Sequence, residues 1–430
     1  MTKLDRRDLL TGLGLAGLAA AATPAAAQTP TPAPAAPKPT LAQRLAAEAP
    51  KHQQAMTFDG RNWSGPGLDW LVAEGAVAQF FLLGEEHGLT QVPALVRQLL
   101  PALKPAGYSR LGLEVSPPTA RALDKAAADG LEGLKRYFTQ VEKGPAFYTM
   151  REEAQMLAAV RAAFPGKQPL LFGLDYEIIL DRPFIADLKA RAPASARAPL
   201  AALEAASLAS WAAYAQTKDI GKIFCFSGDP ALVEAVTAAW PDPDPASAEI
   251  LETLHQSLII NDHQTAGRYF LSNDSRAQFN RANWARLWRA ETAAGRQPKA
   301  MFKFGAGHMV RGRSMTEVYD IASIVAETAA LLGGHSFHLA VVPLAGGRQA
   351  VLNPQTITYG EVAVETVAEM GLEPLAALAD PTGSTLQDLR PLRRLMSASV
   401  TATADPRLAR VVHGYDAVLF VRHAAPSGNL

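Results

Sequence analysis

The sequence has almost no cysteine and no excess of charge of either sign. Cys225 is the only cysteine in 430 residues, so the chain can form neither an intramolecular disulfide nor a thiolate-bound metal cluster. Lysine and arginine together number 41, as do aspartate and glutamate, which gives a formal net charge of +0. This balance argues against a nucleic-acid-binding protein, because such proteins usually carry a basic excess.

Long uncharged apolar runs are also scarce. The run at 9–22 follows the pair Arg6 and Arg7. It has about 14 residues, fewer than the ~20 that a membrane-spanning helix needs. An arginine pair, a short apolar run and small residues at 25–27 are typical of a twin-arginine secretory signal. We therefore expect residues 1–27 to be a cleaved signal peptide, with an uncleaved membrane anchor as the alternative.

A signal of this type predicts the destination of the chain and one of its partners. The twin-arginine export machinery carries folded proteins, and a chain without disulfides suits folding in a reducing compartment before export. Residues 28–40 are rich in proline, alanine and threonine, as in an extended linker. We expect a periplasmic or secreted protein with no stable membrane span after cleavage.

The remaining chain alternates between strand and helix patterns. Hydrophobic residues make up 48% of the sequence, which is ample for a core. Six short apolar runs resemble strands buried on both faces: 77–83, 111–115, 169–174, 300–304, 337–342 and 417–421. Helical patterns separate the early runs: 93–103, 119–130 and 152–164. This alternation predicts an α/β fold with a mainly parallel central sheet flanked by helices.

One long segment breaks the alternation. Residues from about 183 to 297 are rich in alanine and helical in pattern, and only 223–226 resembles an additional strand. We expect a helical insertion subdomain between two strands of one sheet. Residues 41–430 then form a single α/β domain.

Polar side chains stand at the ends of four consecutive predicted strands. The set comprises Glu85, Glu86, His87, Glu114, Asp175 and His308. Carboxyl ends of parallel strands meet at one edge of a sheet, which is where ligands bind in open α/β folds. We therefore expect two histidines and several carboxylates in one crevice.

Each of these residues also has a purely structural interpretation. Glu85 and Glu86 could belong to a solvated turn, and Asp175 could cap the segment that follows it. Glu114 is harder to explain in this way, because it lies inside the apolar run LGLEV and a buried carboxylate must be paired or hydrogen-bonded. The recurrence of such residues at strand ends favours a functional site.

The segments LLGEEHG, LGLEVSP, FGLD and FKFGAGHMVRG resemble the erythromycin esterase-like superfamily. That superfamily includes ChaN-like haem-binding proteins and is distantly similar to the TraB/GumN-type metalloproteases. The resemblance implies that His87 is a general base on water, supported by Glu85, Glu114 and His308. The spacing G-E-E-H is closer to that of ChaN-like members than to the G-E-A-T-H of drug-hydrolysing members.

The resemblance also extends to a helix before the last motif. Family members carry R-x-x-x-M-x-x-N there, and Arg276, Asn280 and Asn283 fall at those spacings, with asparagine in place of methionine. Arg276, if it folds inward, could stabilise an oxyanion. We expect Asp175, Arg276 and Asn283 to bind the substrate.

The residues leave three functions open. A histidine oriented by a carboxylate can take a proton from water, and no G-x-S-x-G element supports a serine triad. The leading hypothesis is an exported hydrolase that cleaves an ester, lactone or amide bond of a small-molecule substrate. Histidines and carboxylates could instead ligate a divalent metal in a metal-dependent hydrolase or peptidase, although no metal ligand is assigned. A histidine or tyrosine could also bind haem in a ChaN-like haem or iron-binding protein.

Overall fold

The computed structural model describes residues 39–166, 168–396 and 405–430. The predicted signal peptide lies outside the described residues, and so does the predicted linker apart from its last two residues. None of the helices in the described ranges is long and apolar enough to cross a membrane. Thr40–Leu430 form one compact unit.

Two sheets are present in the described part of the chain. Their strands are β1 (Gln53–Phe58), β2 (Trp63–Ser64), β3 (Phe80–Glu85), β4 (Tyr108–Leu113), β5 (Leu171–Gly173), β6 (Lys299–Gly305), β7 (Ser336–Pro343), β8 (Arg348–Asn353), β9 (Thr358–Ala363), β10 (Ser384–Asp388) and β11 (Ala417–Val421). The central sheet has nine strands in the order β2-β1-β10-β11-β7-β3-β6-β4-β5, and β8 and β9 form a separate hairpin.

The central sheet is mainly parallel, as predicted. Strands β11, β7, β3, β6, β4 and β5 run parallel to their neighbours, and β10, β1 and β2 continue the sheet antiparallel at one edge. Each of the six predicted apolar runs overlaps one of the six parallel strands. The sequence does not predict the antiparallel strands, because β1 (QQAMTF) and β10 (STLQD) contain polar residues and neither shows a continuous apolar run.

Helices flank the sheet on both faces. They are α1 (Leu41–Glu48), α2 (Pro66–Val77), α3 (Gln91–Leu103), α4 (Pro117–Ala127), α5 (Gly130–Gln140), α6 (Arg151–Ala163), α7 (Asp181–Arg191), α8 (Arg197–Thr217), α9 (Phe224–Ser227), α10 (Pro230–Ala239), α11 (Pro245–Thr265), α12 (Tyr269–Ala293), α13 (Ile321–Leu331), α14 (Thr366–Glu369), α15 (Glu373–Ala376) and α16 (Pro406–Gly414). The fold class predicted from the sequence is therefore confirmed.

Helices α7 to α12 lie between β5 and β6 in the chain, and most of them share a hydrophobic cluster of their own. The prediction of a possible strand at 223–226 is wrong, because this segment turns into the short helix α9. Its Phe224 and Cys225 are buried, and α9 packs against α8 and α11, where no strand edge is available for pairing. The segment is apolar because it contributes to the core of the insertion.

Side chains along β3 alternate between the two faces of the sheet. Phe81 and Leu83 join the cluster that contains the leucines of α3 and α6, whereas Phe80 and Leu82 join the cluster that contains Trp284 and α13. Strands β3, β6, β4 and β5 are adjacent, so their carboxyl ends lie side by side. This edge of the sheet is where the predicted polar residues meet.

Candidate active site

Glu114, directly after β4, is the centre of a polar cluster at this edge. Its Oε2 accepts a hydrogen bond from the backbone N–H of Gly305 at 2.6 Å, and its Oε1 accepts one from Arg276 at 2.6 Å. The Nε2 atoms of His87 and His308 each lie 3.5 Å from a carboxylate oxygen of Glu114. One carboxylate therefore holds two histidines and an arginine that are far apart in the sequence.

The charges around Glu114 keep it ionised. Burial raises its pKa, but the positive charges of His87, His308 and Arg276 outweigh burial and lower the pKa to about 2. The carboxylate is therefore negative at neutral pH.

His87 forms a dyad with Glu85, the last residue of β3. Nδ1 of His87 lies 3.0 Å from Oε1 of Glu85, and the ring stacks on Phe147 with centroids 4.0 Å apart. Because a carboxylate only accepts hydrogen bonds, Nδ1 carries the proton and Nε2 faces Glu114. Burial lowers the pKa of His87, but Glu114 and Glu85 outweigh it and raise the pKa to about 8.

His308 forms a second dyad of the same kind. Its Nδ1 lies 2.7 Å from Oδ2 of Asp320, while Oδ1 of Asp320 accepts a hydrogen bond from the N–H of Ile321 at the start of α13. Burial and the charge of Arg276 lower the pKa of His308, but Asp320 and Glu114 raise it above its usual value. Two histidine–carboxylate dyads thus face Glu114.

Arg276 extends from α12 of the helical insertion to the edge of the sheet. Its Nε donates to Asp175 at 3.0 Å, a second nitrogen donates to the other oxygen of Asp175, and the guanidinium lies 5.0 Å from the ring of Tyr176. The side-chain amide of Asn280, one turn further along α12, lies 3.0 Å from Asp175 and satisfies its hydrogen bonds when its nitrogen faces that carboxylate. Arg276 therefore folds inward, and Asp175 is its partner.

Two predicted site residues lie apart from this cluster. Glu86 accepts a hydrogen bond from the hydroxyl of Thr366 at 2.7 Å, and burial raises the pKa of its carboxyl group. Asn283 is buried and donates to the carbonyl of Leu174 at 3.0 Å, so it ties α12 to the end of β5. Neither residue makes a hydrogen bond to the dyads or to Glu114.

The structure adds four residues that the sequence reasoning missed: Phe147, Glu153, Lys303 and Asp320. Lys303 lies in the apolar run AMFKF, so the argument that singled out Glu114 within LGLEV applies to it as well. Asp320 and Phe147 lie in segments without a strand or motif signal. Only the folded chain brings them to the histidines.

A cavity of about 270 Å³ opens beside the dyads. His87, Glu114, Asp175, Arg276 and His308 contribute to its lining, together with apolar residues: Val115, Pro145, Ala146, Phe147 and Ile178. At Gly305, a β-carbon would lie 3.1 Å from Nε2 of His87, which is tighter than an ordinary contact. Glycine at this position therefore keeps space around Nε2 of His87.

The side chains around Glu114 do not fit a bound metal ion. Within the described ranges, no group of three or more histidine, cysteine, aspartate or glutamate side chains is arranged to hold one. The guanidinium of Arg276 takes the cation position between Glu114 and Asp175. The histidine nitrogens that could ligate a haem iron, Nε2 of His87 and Nε2 of His308, both face the Glu114 carboxylate.

Comparison with known proteins supports the fold. No protein-family model matches the chain, and no curated protein matches its sequence. The erythromycin esterase EreC, as a histidine-to-asparagine variant in its open conformation, has a TM-score of 0.57 at 13% identity over 87% of this chain and 98% of EreC. A succinoglycan biosynthesis protein has a TM-score of 0.53 at 14% identity, over 91% of this chain and 98% of its own.

These similarities show that the chain has the same fold as EreC, as the resemblance to the erythromycin esterase-like superfamily predicts. The haem-binding ChaN of Campylobacter jejuni also matches, at 13% identity over 73% of this chain and 98% of ChaN. Its TM-score of 0.31 is too low to support an argument. The comparisons therefore show the architecture, and the chemistry depends on the side chains of this chain.

Replacing Glu114 with glutamine tests its role in the cluster. Glu114→Gln keeps the shape of the side chain and removes its charge. We expect the pKa of His87 to fall by about one unit or more, since a nearby carboxylate shifts a pKa by about 1–3 units. NMR titration of the histidine rings measures this change.

The matched control is Glu86→Gln, which alters the neighbouring carboxylate that hydrogen-bonds Thr366. We expect the pKa of His87 to change much less in this variant than in Glu114→Gln. Equal shifts in the two variants would contradict the central position of Glu114.

Proposed function

We propose that this protein is an exported hydrolase that cleaves an ester, lactone or amide bond of a small-molecule substrate with water activated by His87. The observation that carries the proposal is the His87–Glu85 dyad, whose Nε2 faces the cavity beside Glu114. The EreC-like fold is consistent with it. The cavity volume favours a small substrate, or the reacting end of a larger one, over a fully enclosed drug-sized molecule.

In this mechanism His87 is the general base. Neutral His87 accepts a proton from water at Nε2, and Glu85 stabilises the imidazolium that forms. The 3.5 Å separation between Nε2 and Glu114 is longer than an ordinary hydrogen bond, which leaves the Nε2 lone pair available to a water molecule. General base catalysis of this kind contributes about 10²–10⁴-fold to a rate.

His308 and Arg276 supply positive charge on the opposite side of Glu114. The raised pKa of His308 keeps more of it protonated near neutral pH than an ordinary histidine, so its Nε2–H can donate to a developing oxyanion. Arg276 lines the same cavity with its charge. In this mechanism His87 activates the attacking water, whereas His308 and Arg276 stabilise the oxyanion.

Removing His87 should abolish most of the activity. We expect His87→Ala to lower kcat/KM by about 10²–10⁴-fold on whichever member of a panel of nitrophenyl esters and lactones the wild type cleaves. His413→Ala is the control, since His413 is exposed on α16 and outside the cavity lining. Full activity in His87→Ala would exclude the base role.

The pH dependence follows from the same pKa. Since the neutral ring of His87 is the base and the protonated ring of His308 donates to the oxyanion, kcat/KM should have a bell-shaped dependence on pH with one limb near 8. A profile with no limb near 8 would exclude His87 as the base.

We also propose export by the twin-arginine route, which places the protein in the periplasm or outside the cell. The support is the N-terminal pattern of an arginine pair, a short apolar run and small residues. Replacing both Arg6 and Arg7 with lysine should leave unprocessed precursor in the cytoplasm, as judged by cell fractionation. Arg44→Lys, beyond the predicted signal, is the control; unchanged export of the double variant would exclude this route.

A further inference from the structure

A second charged cluster is buried behind Glu85. Lys303 of β6 is fully buried, and its Nζ donates to Oε1 of Glu85 at 2.5 Å and to Oε1 of Glu153 of α6 at 2.9 Å. The ammonium also lies 5.3 Å from the centre of the Tyr148 ring. Lys303 follows Met301 by two residues on β6. Because side chains alternate along a strand, Lys303 faces the same side of the sheet as Met301, Phe81 and Leu83.

This cluster contains one ammonium and two carboxylates, on residues that are each at most 3% exposed. Both Glu85 and Glu153 are nearly fully buried, and the Oε2 atom of each has no hydrogen-bond partner among the described residues. A buried charge is costly unless it is paired, so two carboxylates sharing one ammonium favour the uptake of a proton. Only one of them needs to remain ionised.

The contacts indicate that Glu85 is the carboxylate that stays ionised and that Glu153 is the one that is protonated. Glu85 has two cationic neighbours, Lys303 and His87, whereas Glu153 has Lys303 alone and also faces the negative charge of Glu85. Burial raises the pKa of Glu85, but Lys303 and His87 lower it below its usual value. Burial raises the pKa of Glu153 to about 7 against the attraction of Lys303.

We propose that Lys303 is a positioning residue for His87: its ammonium keeps Glu85 ionised and aimed at Nδ1, while Glu153 is the carboxyl group that takes up the proton of the cluster. The proposal rests on the proposed function, because it assigns Lys303 a part in preparing the base. Lys303 does not line the cavity, and its hydrogen-bonded link to His87 runs through Glu85.

A purely structural ion pair would not require this arrangement. Replacing a buried ion pair by apolar side chains is often neutral or stabilising, so stability alone is a weak reason to bury Lys303. The cluster is instead continuous with the base: Nδ1 of His87, Oε1 of Glu85 and Nζ of Lys303 form one chain of contacts. Loss of the ammonium should therefore change the pKa of His87.

Several other charged groups act on His87 and must stay constant in a test. Glu114 after β4 raises its pKa, and Lys303 lowers it by direct repulsion. The positive charge of His87 also acts on Glu86, the residue beside it in the chain. Arg276 and His308 reach it through their shared contact with Glu114. Removing Lys303 thus has two opposite effects on His87, a direct one and one through Glu85.

The direction in which the pKa of His87 changes in Lys303→Met shows which of the two effects is larger. If Lys303 were merely a nearby charge, Lys303→Met would remove its repulsion and raise the pKa of His87. If Lys303 keeps Glu85 ionised, Glu85 takes up a proton in this variant, and the pKa of His87 falls. NMR titration of the full-length exported protein distinguishes the two, with His87 assigned by its loss in His87→Asn.

We expect the pKa of His87 to fall by about one unit or more in Lys303→Met, since Glu85 ceases to be a charged partner. Lys299→Met is the matched control, because Lys299 lies on the same strand but donates to the carbonyl of Ala76. Its His87 should titrate as in the wild type. A raised or unchanged pKa in Lys303→Met would overturn the proposal.

A second variant covers the case in which Lys303→Met does not fold. Lys303→Met combined with Glu153→Gln removes the ammonium together with one carboxylate, and circular dichroism checks its folding. Here too the pKa of His87 should fall, and a rise would overturn the proposal. The titration needs no turnover, so a failed search for a substrate would count against the proposed hydrolysis and not against the role of Lys303.

Discussion

The ion contacts of one buried carboxylate organise the candidate site. Glu114 stands at the end of a central strand, where an unpaired carboxylate would cost several kcal/mol. Its compensation comes from Arg276, His87, His308 and the backbone N–H of Gly305. Because Glu114 is paired in this way, His87 and His308 both lie at one cavity with Nε2 facing the carboxylate. The proposed chemistry follows from this arrangement, because each histidine has an orienting carboxylate of its own and both share Glu114.

The fold supplies the contacts of Glu114 through strand order and one long insertion. Since β3, β6, β4 and β5 are adjacent, the residues that follow them emerge at a single edge of the sheet. The insertion then returns along α12, so Arg276 reaches Glu114 and Asp175 from above the sheet edge. Lys303 contacts both Glu85 and Glu153 on the face of the sheet that carries Phe81 and Leu83. His87, the proposed base, is thus in contact with the Glu85–Lys303 cluster at Nδ1, while its Nε2 faces the cavity.

Much of this could be predicted from the sequence, because parallel strands buried on both faces leave continuous apolar runs and their ends converge. That reasoning located His87, Glu114 and His308. It could not show that Glu86 turns away to Thr366, since two adjacent glutamates at a strand end are indistinguishable in a one-dimensional pattern. Asp320 could not be found either, because its partner is set by the path of a loop. The antiparallel strands β1 and β10 contain polar residues and leave no apolar run to recognise.

Metal content, visible absorption and hydrolysis measured on one sample of the exported protein test the central claim most directly, namely that side chains alone activate water here. The account predicts hydrolysis by a protein with far less than one equivalent of any transition metal and no haem absorption band, unaffected by a chelator. Stoichiometric metal or haem, with activity lost on its removal and restored on its return, would contradict the account. His87 and His308 would then be ligands.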